Sequence, residues 1–330
     1  RVKERKVRAT IAAMTRLLEQ GIYYEASHSS TVRWTSIRLL IAFGVQYRLK
    51  IKLKDMESFY LCGTLEEGNR MIAMRQVKGF ETPGKENWLC QILKGLYGLP
   101  QAGNIAQKKL SDTLTRDIDN GFDRLAADDC VYRRRGKRLG DDGYLALGSH
   151  VDDLTCVGDD DGYVTLDTAL EKQFTVKTED DPPMITGVQL TRIGDWAKLH
   201  MPGYIEGLLE KTGMQECNKQ IVPLDPGIPK GKLPQQGEAP ADGPEVVQLF
   251  QCVLGQLLWL AVRVRPDILF AVGFLGRFAS NAGNTQLEWA KGVIRYLKGT
   301  KEWGLGYQRT EGKAVLQGAS DADFAGCTRT

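Results

Sequence analysis

The sequence predicts an α+β fold, on three observations. Strand-like alternation clusters in two hairpin regions, 128–158 and 184–200. Helical spacing dominates 245–298. Between them, 223–244 holds six of the chain's 12 prolines and four glycines, the composition of a linker or long extended crossing. The 330 residues suit about two domains. Hydrophobic residues at 42% and charged residues at 26% exclude wholesale disorder, collagen-like chains and rods. No run approaches the ~18 apolar residues that span a bilayer. The basic start, RVKERKVR, is unlike a secretory signal. Seven cysteines without a CxxC pair suggest neither a zinc knuckle nor a disulfide framework, so a reducing compartment is the default. A net charge of +3 is too small to mean anything globally, so any nucleic-acid signal must be local.

The elements follow in order. Ile11, Met14, Leu17 and Leu18 predict a helix over 9–19, ended by Gly21. Residues 32–45 form a second amphipathic pattern. Over 49–56, Leu49, Ile51, Leu53 and Asp55 alternate with lysines and Met56, which predicts a strand. Val131 and Tyr132 end the next strand, and 133–143 reads as a charged connection. Strands at 144–149 and 154–157 flank a tight turn, His150-Val151-Asp152-Asp153. Tyr163, Leu166, Leu170 and Phe174 mark a helix, with Asp159 to Asp161 at its N-terminus, where acids suit the dipole. A strand pair with a turn at Gly194-Asp195 spans 184–200, and a helix over 203–212 stops at Gly213. Helices are predicted at 245–262, 266–280 and 285–298, and 303–330 returns to strand-like alternation. Trp259, Trp289 and Trp303 are read as core packing.

Asp-Asp pairs are common in solvated turns, and this chain has several. Asp152-Asp153 differs in its flanks, because apolar strands on both sides would bury the hairpin and aim its tip. Asp55 ends a strand about one hundred residues earlier. If the two segments neighbour each other in one sheet, three carboxylates meet at one edge. Two magnesium ions sharing a site need such hard oxygen ligands on rigid backbone.

These residues carry a resemblance. His150-Val151-Asp152-Asp153 resembles the (Tyr/His)-Val-Asp-Asp box of copia-type (Ty1/copia) retrotransposon reverse transcriptases. Asp55 to Leu65 looks like that family's D-V-K-x-A-F-L-x-G-x-L motif, and Leu96 to Gly103 is similar to its L-Y-G-L-x-Q-A block. Ile185 to Val188 stands where the family has F-L-G-I. Arg265-Pro266-Asp267-Ile268 with Phe270 to Val272, Arg295 to Thr300, and Ser320 to Gly326 resemble T-R-P-D-I-x-F-A-V, R-Y-L-K-G-T and S-D-A-D-W-A-G. The seven blocks occur in the family's order over nearly the whole chain.

The resemblance implies a right-hand polymerase with fingers, palm and thumb, an antiparallel palm sheet, and a truncated ribonuclease H-like start. It divides the chain into fingers and palm at 1–222, a linker at 223–244, a helical thumb or connection at 245–302, and the ribonuclease H-like start at 303–330. It implies RNA- or DNA-templated DNA synthesis, with Asp55, Asp152 and Asp153 as metal-binding and catalytic carboxylates for two Mg²⁺, with Mn²⁺ as a substitute. Tyr60 would be the aromatic gate against a 2′-OH, or else a plain core aromatic. Gln101 would lie beside the incoming nucleotide, or in an ordinary turn. Lys6 and Arg8 would clamp the triphosphate, or form a solvated basic terminus. Ile185, Thr186 and Gly187 resemble the primer grip. Asp321 matches the first ribonuclease H carboxylate, and ribonuclease H activity is not expected from this chain alone. Expected partners are a primer–template duplex (RNA/DNA or DNA/DNA), dNTPs and other parts of a Pol polyprotein, with no membrane. The expected location is a cytoplasmic virus-like particle or the nucleus. Arg133, Arg134, Arg135, Lys137 and Arg138 form the densest basic cluster, suited to phosphates or to a solvated tip.

Several positions depart from the family pattern: Tyr23, His28, Ser30, Asn104-Ile105-Ala106 and Ile185-Thr186. None removes a metal ligand. Together they define the alternative function, a degenerate or repurposed non-catalytic nucleic-acid-binding protein on the same fold. With three histidines and neither H-E-x-x-H nor G-x-S-x-G, the chain offers little to a hydrolase.

Overall fold

The computed structural model describes residues 18, 20, 24, 26–65, 71–116, 121–228 and 242–320. The predicted helix over 9–19 lies almost wholly outside these residues. The chain divides into two compact units, Arg1–Pro182 and Pro183–Thr330. Residues 183–222, which the motif order assigns with the palm, thus belong by contact to the second unit.

The first unit is built on six strands. They are β1 (Lys50–Met56), β4 (Phe122–Leu125), β5 (Asp128–Arg134), β6 (Leu145–His150), β7 (Asp153–Gly158) and β8 (Val176–Asp180). A separate two-stranded ladder joins β2 (Ala73–Arg75) to β3 (Leu89–Gln91). The large sheet runs β4-β5-β6-β7-β1-β8 and is antiparallel throughout. Helix α1 (Trp34–Gln46) packs on one face. On the other lie α2 (Ala102–Thr115) and α3 (Asp160–Leu170), whose Ala106, Leu110, Leu114, Leu166 and Leu170 bury Met56, Leu154 and Cys156.

Side-chain alternation explains β1. Lys50, Lys52 and Lys54 share the α3 side and pair with Asp160, Asp180 and Asp167. Lys54 is fully buried there, also donating to Thr178 Oγ1 at 2.8 Å. Ile51 and Asp55 therefore take the α1 side, where Gly44 brings the helix against Ile51 and Val157.

The helix ends are capped locally and at long range. Asp159 accepts from the Gly162 N–H at 2.8 Å and caps α3, as the acidic run predicts. Asp128 caps α1 from far along the chain, accepting from the Arg33 N–H at 3.0 Å and the Ser36 hydroxyl at 2.6 Å.

The charged connection begins later than expected, because β5 continues to Arg134. Arg134 then donates to the Gly143 carbonyl and Arg135 pairs with Asp123, so the basic cluster is partly folded back onto the protein. Helix α2 and strands β2, β3, β4 and β8 add to the elements that the sequence pattern predicts.

The second unit has a four-stranded antiparallel sheet in the order β12-β11-β10-β9. Its strands are β9 (Met184–Ile185), β10 (Val188–Ile193), β11 (Trp196–His200) and β12 (Gly304–Gln308). Its helices are α4 (Pro202–Lys211), α5 (Pro244–Arg263), α6 (Leu269–Gly276) and α7 (Asn284–Gly299). The helix predicted over 266–280 is shorter than expected, a 3₁₀ turn over Pro266–Ile268 followed by α6, which ends at Gly276. Strand β12 is the only regular element after residue 303 among the described residues, and it completes the β11 edge. Helix α5 is long and apolar enough to cross a membrane by length and composition alone, although the sequence shows no unbroken apolar run of that length. Its inner stripe packs on α6 and α7.

Two of the three tryptophans read as core are exposed: Trp259, stacked on Arg263, and Trp303. Trp289 does pack, against Phe274 and Phe278.

Two of the motif blocks in this unit, at 265–268 and 295–300, form one buried network. Arg265, 1% exposed, donates to both carboxylate oxygens of Asp267 at 2.8–3.2 Å. It also donates to the Thr300 carbonyl at 3.0 Å and the Thr300 hydroxyl at 2.6 Å. Tyr296 donates its hydroxyl to Asp267 at 2.9 Å.

Candidate active site

The turn between β6 and β7 contains only Val151 and Asp152, so His150 and Asp153 belong to the strands. Val151 has φ +59°, a left-handed conformation that a β-branched residue rarely adopts. The strain is held in place from β1, where the Met56 N–H donates to the Asp152 carbonyl at 3.0 Å. Residues 56 and 152 are thus a hydrogen-bonded pair. Asp55 and Asp153, the next pair inward, stand directly opposite each other. They form a non-hydrogen-bonded pair, in which Cα atoms lie roughly 4.5 Å apart with both side chains on one face of the sheet.

The sheet therefore brings Asp55 and Asp153 together on the face away from α2 and α3, with Asp152 at the adjoining turn. Burial first, then the charges of Asp152 and Asp55, push the Asp153 carboxyl up to about 6. Among the described residues no three carboxylate, imidazole or thiolate groups converge closely enough to hold an ion unaided.

Tyr60 lies in a 3₁₀ turn, Phe59–Leu61, shortly after β1. Burial first, then the charge of Asp152, raise its hydroxyl pKa. Its ring meets Tyr97 at 5.4 Å between centroids. The two tyrosines, with Gly98, Pro100 and Gly103, line a cavity of about 400 Å³. A Cβ at Gly103 would sit 3.2 Å from the Ser29 Cβ and 3.3 Å from the Tyr60 ring, a tight fit that the glycine avoids. Gln101 lies between two residues of that lining, and its buried amide has no hydrogen-bond partner among the described residues.

In the second unit, Ile185 closes β9, and Thr186 and Gly187 form the turn into β10, at φ +40° and +83°. Two positive φ values in a two-residue loop are what a tight hairpin requires, although threonine is an unusual occupant. Lys6, Arg8, Tyr23 and Asp321 lie outside the described residues. Tyr97, which sequence reasoning gave no role, stands within the quoted L-Y-G-L block. Its aromatic character beside Gly98 was the available signal.

A family model described as reverse transcriptase (RNA-dependent DNA polymerase) matches residues 2–226. The chain belongs to the reverse transcriptase family. Curated relatives place it in the copia-type branch. It is 30% identical over 311 residues to the retrovirus-related Pol polyprotein from transposon TNT 1-94 of Nicotiana tabacum, covering 93% of this chain and 23% of that protein. It is 29% identical over 309 residues to the corresponding polyprotein from transposon RE1 of Arabidopsis thaliana, and 28% identical over 311 residues to that from RE2. Each match covers 93% of this chain and 20% of the relative. The chain thus spans about a quarter or less of these polyproteins. No solved structure matches it.

Proposed function

We propose that this reverse transcriptase chain performs template-directed DNA synthesis on a primer–template duplex from dNTPs, with Asp55, Asp152 and Asp153 as the metal-holding acids. The observation that carries the reading is the β1–β7 register, which sets Asp55 opposite Asp153 beside the strained turn. The donor set fits magnesium: hard carboxylate oxygens on two paired strands and on the tight turn that leads into β7. Magnesium is commonly held by one or two carboxylates plus substrate phosphates and water, so a ready three-ligand cage is not required. Two bound ions would lower the pKa of the primer 3′-OH and neutralise charge on the triphosphate and leaving pyrophosphate.

The chain's own groups orient the reactants. Asp55 and Asp152 act as the shared ligands and Asp153 as the third. The Tyr60 ring, stiffened by Tyr97, blocks a 2′-OH. Gln101 offers its unsatisfied amide to the nucleotide. The 185–187 hairpin presses on the primer end, and Lys6 with Arg8 hold the triphosphate.

Primer extension with Mg²⁺ tests the reading. Asp55→Asn and Asp152→Asn are expected to abolish extension while binding duplex nearly as well as the parent. Substantial extension by either variant would refute the assignment. Salt-sensitive duplex binding by the parent with no incorporation in Mg²⁺ or Mn²⁺ would favour the non-catalytic alternative.

A further inference from the structure

Asp55 has a different neighbour on each flank. It faces Asp153 on β7 and Lys177 on β8. Directly opposed residues point to one side of a sheet, so Asp153, Asp55 and Lys177 form a row across the face that carries the acids. The β1–β8 ladder continues past Asp55, where the Glu57 N–H donates to the Thr175 carbonyl at 2.9 Å. Side chains alternate along a strand, so Glu57 takes the same side as Asp55.

The register makes Asp55 the acid that Lys177 faces. Directly opposed Cβ atoms lie about 5 Å apart and diagonal ones about 7 Å. Yet the Lys177 ammonium closes on the diagonal acid, with Nζ 2.5 Å from Glu57 Oε1. The two side chains are 63% and 40% exposed, and an ion pair so exposed is weak enough to exchange partners. Glu179 shares this side of β8 but stands opposite Leu53, two residues further from the turn. Asp55 is therefore the acid to which Lys177 would turn if Glu57 were lost.

That choice matters for Asp55. An ammonium on a carboxylate and a divalent ion on the same carboxylate repel each other, and the negative charge that draws one draws the other.

We propose that Glu57 is a positioning residue that holds the Lys177 ammonium off Asp55 and so keeps this carboxylate open to a divalent ion. The inference rests on the reading of Asp55, Asp152 and Asp153 as the metal-holding acids. Without Glu57, Lys177 swings to Asp55 and competes with the ion. Without Lys177 that competitor is gone, and Glu57 adds an anion beside the site. The two ends of the bridge thus act in opposite directions, which a bridge that merely stiffens the strands does not do.

Mn²⁺ titration of the full chain, followed by electron paramagnetic resonance of the free ion without nucleic acid or dNTP, reads the proposal. Binding that Asp152→Asn removes is the binding at the acids. Glu57→Gln is expected to weaken it about fivefold, and Lys177→Met to tighten it about twofold. In the Lys177→Met background Glu57→Gln should cost at least about threefold less than in the parent, because no ammonium is left to swing across. Both positions are exposed, so the melting point should hold, and Lys177→Gln replaces Lys177→Met if it does not. Equal costs of Glu57→Gln in the two backgrounds would mean two independent charges and would overturn the proposal. Weaker binding in both single variants would overturn it too, as the mark of a structural bridge. Mn²⁺ binding that ignores Asp152→Asn would instead fell the assignment of the acids, and this inference with it.

Discussion

Replacing Asp267 with alanine strands the Arg265 guanidinium in the second unit. The arginine is 1% exposed and keeps only its two bonds to Thr300. Removing one partner of a buried ion pair costs about 3–5 kcal/mol, because the remaining charge is left uncompensated. The Asp267 side chain is itself 32% exposed, so water can partly replace it and the lower end applies. Tyr296, now without its acceptor, adds about 1 kcal/mol. The expected loss is therefore about 3–4 kcal/mol. With a urea slope of about 2 kcal/mol per molar, the midpoint of the second unit falls by roughly 1.5–2 M. Tryptophan fluorescence follows it, since Trp303 lies 6.4 Å from the Tyr296 ring. A shift under about 0.5 M would refute the reasoning, as would the same loss from Asp267→Ala in an Arg265→Met background.

The pH dependence has a definite sign. Burial raises the Asp267 carboxyl, but the Arg265 hydrogen bonds and charge, aided by Tyr296, outweigh it and hold the group below its ordinary 3.8. A folded pKa below the unfolded one stabilises at every pH above the unfolded value. That stability is lost as pH falls through the folded pKa. The gap between parent and Asp267→Asn should thus be constant near neutrality and close below about pH 4.

Three other outcomes follow from the first unit. Asp128→Ala removes the long-range cap of α1 and should cost about 1–2 kcal/mol in urea unfolding, with Asp128→Asn recovering part. Asp167→Ala should cost up to about 3 kcal/mol by leaving buried Lys54 with Thr178 alone, whereas Lys54→Met should lie within about 1 kcal/mol of the parent, because exposed Asp167 rehydrates. Equal costs for the two would sink that account. Tyr60→Val should raise ribonucleotide incorporation relative to deoxynucleotide by on the order of tenfold or more in single-nucleotide extension, a change of about 1.4 kcal/mol. An unchanged ratio would return Tyr60 to a packing role.

Legibility in the sequence tracked how local each signal was. The alternation of β1 and the hairpin around residue 151 are local, so both strands and their acids could be read directly. That Asp55 opposes Asp153 is a pairing across about one hundred residues, and only the register states it. Helix α2 escaped because two of its four buried positions are alanines, Ala102 and Ala106, which carry little hydrophobic contrast. Strand β8 escaped because Val176–Asp180 is a charged edge with almost no buried side. Asp128 resembled one more solvated acidic pair, yet its carboxylate serves a helix remote in sequence.

The motif blocks also divide by what they do physically. The boxes at 55 and 150–153 converge on exposed or half-buried acids around a strained turn, an arrangement with no evident benefit to stability. The blocks at 265–268 and 295–300 close on each other through Arg265, Asp267, Tyr296 and Thr300, with the charge buried and its donors matched. Substitution in the first pair should therefore remove chemistry and spare folding, while substitution in the second should do the reverse. Resemblance alone ranks the four blocks equally, and burial separates them.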